Sequence, residues 1–202
     1  MHTIKRIVIF TFLGAIGFGI GAIGFGAIRI QGWSLELMSS ASTPSILGLP
    51  TMGAVGGATL GLALWSWRKA SLLALLGTIG ASIGFIIEVM ISVFIQGYGG
   101  PLTLAYAIIY GVTPGACIGI ALGLTFLDFK RIIGLGLAGA LGFGIGMAIC
   151  YSYFHPWAGW GIPGNFEPWL GWILWGVIGG GFIGATLGYI EGRWPSTSND
   201  YD

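Results

Sequence analysis

Glu88 is the one carboxylic acid set inside a long apolar stretch of this chain. An acid in such a place can take up a proton, hold a cation or line a route for a polar solute. It follows Gly84 by four residues, and Gly84 closes the series Gly77, Gly80, Gly84. On a helix the carboxyl group therefore continues the face that those glycines form. The plainer role is structural. Arg29 lies about one turn beyond the matching level of an earlier stretch, and a Glu88–Arg29 pair would lock two helices together.

Arg29 and His155 end apolar stretches near the Glu88 level. With Gln96 and Tyr98 they are candidates for a polar vestibule at the mouth of an ion or solute pathway. Against this stands a simpler reading, in which Arg29 reaches out to lipid headgroups and His155 is a wetted loop residue.

Other chemistry finds little support. Gly80-Ala81-Ser82-Ile83-Gly84 spells Gly-x-Ser-x-Gly, but a nucleophile elbow needs a strand, a turn and a helix, and this segment lies mid-stretch. No His falls inside an apolar stretch to serve as base, so an enzyme is not expected. Metal or haem ligands are too few and too scattered. The Gly-x-Gly pairs lie in apolar runs and are not dinucleotide fingerprints, so no cofactor is expected. Cys117 and Cys150 fall at different depths of their stretches and read as packing residues without a disulfide.

The elements that position these residues are six apolar runs, about 7–28, 46–67, 72–95, 102–127, 132–153 and 169–190. Each meets the roughly 20 residues that a helix needs to cross a bilayer. Only 7% of the 202 residues are charged and 55% are hydrophobic, against roughly 25% charged in soluble domains. Helices are the expected form, since lipid leaves backbone groups no other partner. The first run is longer than a signal-peptide core, so it is expected to stay as a span.

Glycines repeat through these runs in two ladders. Gly14, Gly17, Gly21 recur as Gly77, Gly80, Gly84 and as Gly139, Gly142, Gly146. Gly53, Gly57, Gly61 recur as Gly111, Gly115, Gly119 and as Gly176, Gly180, Gly184. The expectation is an all-α membrane protein: six transmembrane helices as three glycine-rich hairpin repeats, about 5–68, 69–129 and 130–193, around a pseudo-threefold axis. Residues 1–194 form one membrane domain in this reading, and 195–202 a disordered polar tail. Glycine at every fourth position lets two backbones approach where lipid offers no hydrophobic drive for association. In this register Glu88 matches Phe25 and Cys150 and breaks the symmetry. Pro114 matches Gly56 and Gly179. Trp169, Trp172 and Trp175 lie away from the glycine face of the last run and are expected at lipid or headgroup level.

Lys5, Arg6, Arg68, Lys69, Lys130, Arg131 and Arg193 all fall at one end of the spans, and Arg29 alone at the other. The positive-inside rule then puts both termini in the cytoplasm, with a plasma (inner) membrane location expected. A net charge of +1 gives no general attraction to nucleic acid. The expected surroundings are the lipid bilayer and either further copies of the chain or partners in a membrane complex. Two functions compete: a small channel or transporter with Glu88 near its outer mouth, and a non-catalytic structural or assembly subunit that packs through its glycines.

Overall fold

A computed structural model describes residues 2–30, 43–97, 104–154 and 169–193, all of it helical apart from two short turns. The six helices are α1 (His2–Ile30), α2 (Thr43–Ala63), α3 (Trp67–Gly97), α4 (Leu104–Leu124), α5 (Phe129–Phe154) and α6 (Trp169–Arg193). Five of them are long and apolar enough to cross a membrane. The sequence reading counted six, and α2 is the one outside that group. The second apolar run also ends earlier than expected, at Ala63, because the chain turns before Trp67. The expected 195–202 tail lies outside the described residues.

Glycine-rich segments are poor helix formers in water. Here the backbone bonds to itself because an apolar medium leaves it no alternative. The outward faces show what that medium is. On α1, Ile4, Val8, Phe12, Ile16, Ile20 and Ile23 recur at helical spacing and are all exposed. Ile79, Ile83, Ile86 and Met90 do the same on α3, as do Ile133, Leu137, Leu141 and Ile145 on α5. Helices that are apolar on their outer as well as their inner face belong in lipid, and the chain is an integral membrane protein.

The two turns are tight. Leu64 N–H donates to Gly61 O at 3.0 Å and Trp65 N–H to Leu62 O at 2.8 Å. Trp65 (φ 55°) and Leu127 (φ 49°) then take left-handed conformations that stop α2 and α4. Ser66 and Asp128 cap the helices that follow, accepting from Lys69 N–H at 3.3 Å and Lys130 N–H at 3.0 Å.

Each helix packs on its neighbours in the chain, and α1 packs on α6, so the six close into a ring. At three seams glycine faces glycine: Gly53 meets Gly77 between α2 and α3, Gly115 meets Gly139 between α4 and α5, and Gly14 meets Gly180 between α1 and α6. A Cβ on any of these six would fall on the opposing backbone carbonyl. At the other three seams the main contacts are one-sided, glycine against a larger residue. The odd-numbered helix supplies the glycine at Gly21 against Met52, Gly84 against Pro114 and Gly146 against Trp175, and the even-numbered helix does so at Gly56 against Phe18 and Gly179 against Phe143.

Aromatic rings fill the middle. Phe18 and Phe143, both 0% exposed, meet edge to face with centroids 5.7 Å apart. Trp175 stands against Phe143 at 5.2 Å. Gly56 and Gly179 lie directly against the rings of Phe18 and Phe143, where a Cβ would collide with them. This overturns the lipid-facing placement of Trp175. It is buried, and its indole N–H donates to Phe143 O at 2.9 Å, which removes the reason for that ring to seek the headgroups.

Candidate functional site

Glu88 sits on α3 at the level where Gly84, one turn earlier, has let α4 come close. A Cβ on Gly84 would lie 2.5 Å from the Cα of Pro114. Glu88 is only 3% exposed. Across the seam, the Tyr110 side chain of α4 hydrogen-bonds it. Its other oxygen, Oε2, has no hydrogen-bond partner among the described residues. Pro114 has no N–H to offer the carbonyl of Tyr110, four residues before it. The seam therefore gathers a carboxyl group, a phenol and an altered stretch of helix backbone at one level.

Five other hydroxyls in the spans are used locally. Thr11, Thr59, Thr78, Ser82 and Thr113 each donate to the carbonyl four residues earlier, at 2.7–3.0 Å. Ser82, the centre of the Gly-x-Ser-x-Gly string, spends its hydroxyl on Thr78 O at 2.8 Å. Apart from Glu88 Oε2, one buried side-chain oxygen lacks a partner among the described residues, Thr125 Oγ1 near the α4–α5 turn.

Of the proposed vestibule, Glu88 alone is described in full. Arg29 lies in the last turn of α1 and Gln96 in that of α3, with side chains outside the described residues. Tyr98 and His155 lie outside them altogether. The partner that the fold brings to Glu88 is Tyr110, which the sequence analysis does not single out. Its place four residues before Pro114, itself singled out, was the available signal. Cys117 and Cys150 are free, as expected, and Cys150 Sγ donates to Gly171 O at 3.0 Å.

A second polar cluster lies at the opposite end of the ring, where the chain enters and leaves. Arg131 at the start of α5 pairs with Glu191 near the end of α6 at 2.8 Å, with only 11% and 6% of the two side chains exposed. Asp128 lies 3.5 Å from the same guanidinium, and the Phe126 ring centroid 5.0 Å from it. Arg6 donates to Glu191 O at 2.7 Å and the Thr3 hydroxyl to Gly192 O at 3.3 Å. α1, α5 and α6 are thus tied together at their ends. Sequence reading had counted Arg131 among the bases that set orientation. The buried pair escaped it because the partners stand 60 positions apart.

Compared with protein-family models, curated proteins and solved structures, the chain matches none of them.

Proposed function

We propose that this chain is a small membrane transport protein for a proton or a cation, with Glu88 as the group that receives it, in a closed state. The observation that carries this is the buried carboxyl group whose Oε2 has no partner among the described residues. A bare negative charge is costly within a bilayer, so the site calls for a proton or a cation as counter-charge. Tyr110 orients one oxygen and leaves the other for that visitor. The chain carries three glycine-rich hairpins about a pseudo-threefold axis, and two of its three one-sided seams place an aromatic at matched positions, Tyr110 and Trp175. Both termini face the cytoplasm in this reading, which sets Glu88 toward the outer surface. The Phe18–Phe143–Trp175 cluster closes the centre below it.

That same filled centre favours a second reading, a structural or assembly subunit in which Glu88 and Tyr110 only fix α3 on α4. Flux through liposomes containing the purified chain separates the two. The wild type is expected to pass protons or monovalent cations down a gradient. Glu88→Gln is expected to reduce that flux at least about tenfold, as suits a single essential acid, and Tyr110→Phe less. Flux that survives Glu88→Gln unchanged sinks the transport reading. So does a wild type that passes neither ion and purifies only with another protein.

A further inference from the structure

The two short turns are built alike and charged differently. Each follows a left-handed residue with a capping residue, an aromatic and two bases: Trp65-Ser66-Trp67-Arg68-Lys69 and Leu127-Asp128-Phe129-Lys130-Arg131. In the second, two carboxylates gather on one of the two bases, Asp128 at 3.5 Å and Glu191 at 2.8 Å from Arg131, so the charges of that corner balance. In the first, Ser66 stands where the second has Asp128. Among the described residues, the side chains of Arg68 and Lys69 make no hydrogen bond or ion pair. Among the described residues this corner keeps two positive charges uncompensated.

Arg68 also lines a groove. With Trp67, Ser71, Leu72 and Leu75 it forms an open-sided depression of about 480 Å³ on the outer face of α3. One end is cationic. The other is a leucine wall that runs on into the exposed apolar row of Ile79 and Ile83. Trp65 and Trp67, 97% and 79% exposed, stand beside the charged end, as tryptophans do where hydrocarbon gives way to headgroups.

We propose that this groove is a binding site for one anionic phospholipid. Its phosphate sits on the Arg68 guanidinium, whose planar fork suits phosphate oxygens, with Lys69 adding to the field. An acyl chain lies along Leu72 and Leu75. A soluble anion would use the basic end and leave the leucines idle, and a zwitterionic lipid would leave the two charges unanswered. The site is independent of ion movement at Glu88 and rests only on the chain lying in a bilayer.

Native mass spectrometry of the full chain, released from detergent with equal phosphatidylglycerol and phosphatidylcholine of matched chains, tests this. The wild type is expected to retain one phosphatidylglycerol in preference to phosphatidylcholine. Arg68→Gln/Lys69→Gln is expected to weaken that retention about 30-fold, from the usual worth of two bases at an anionic surface. Ser66→Asp, which gives this turn the carboxylate of the other, weakens it with both bases in place. Lys130→Gln leaves it unchanged. Equal retention of the two lipids overturns the proposal, as does undiminished phosphatidylglycerol on the folded double variant. Displacement by millimolar inorganic phosphate also overturns it, assigning the corner to small anions.

Discussion

Gly53→Ala and Gly180→Ala are expected to lower stability by about 1–3 kcal/mol, the range for forcing atoms into a packed interior, or to prevent assembly altogether. Gly134→Ala and Gly181→Ala are expected to leave stability unchanged or to raise it by up to about 1 kcal/mol, the helix preference for alanine over glycine. One chemical change thus has two signs, decided by what the new methyl group meets. At Gly53 it meets the carbonyl of Gly77, and at Gly180 that of Gly14. A carbonyl in a helix cannot swing aside as a side chain can, so the whole seam must part. At Gly134 the nearest atoms are 3.7 and 3.9 Å away, and at Gly181 3.8 and 3.9 Å, which is ordinary contact. Thermal unfolding in detergent, with size-exclusion profiles, checks this. Four variants with the same midpoint would show that close backbone approach is not what holds the ring.

The second large effect lies in the Arg131–Glu191 pair. Arg131→Met alone is expected to destabilise by roughly 3–5 kcal/mol, because it strips the buried Glu191 carboxylate of the guanidinium it pairs with, and Glu191→Gln is expected to cost less, because Asp128 still lies 3.5 Å from Arg131. The double variant Arg131→Met/Glu191→Leu is expected to lose less than the two single losses summed, and could recover most of the stability, since it removes both desolvated charges together. The difference measures the coupling. Arg6 reaches the Glu191 backbone carbonyl, so α1 keeps that anchor in all three variants. Additive losses in a denaturation cycle would show that the pair is merely adjacent. The effect should also resist salt, because screening acts weakly on a pair this deeply covered.

Much of the architecture is legible in the chain because lipid imposes few choices. A backbone without water must be helical, so run lengths alone located α1, α3, α4, α5 and α6 to within a few residues. Gly14, Gly53, Gly77, Gly115, Gly139 and Gly180 all fall at contacts between neighbouring helices. The run at 46–67 found α2 within the same margin, and its end at Ala63 depends on Trp65 adopting a left-handed turn that no side-chain pattern announces.

Glu88 stood out from sequence because an acid among apolar residues needs no partner to be conspicuous. Its surroundings did not. Tyr110 comes to it from the next helix, Glu191 finds Arg131 only once the ring has closed, and Trp175 turns inward because Gly146 leaves room for it. Periodicity reports which face of a helix is inward, a property of one segment in its solvent. Which inward residues then touch depends on the relative height and rotation of separate helices. The packing of the whole ring sets these, and no single segment carries that information.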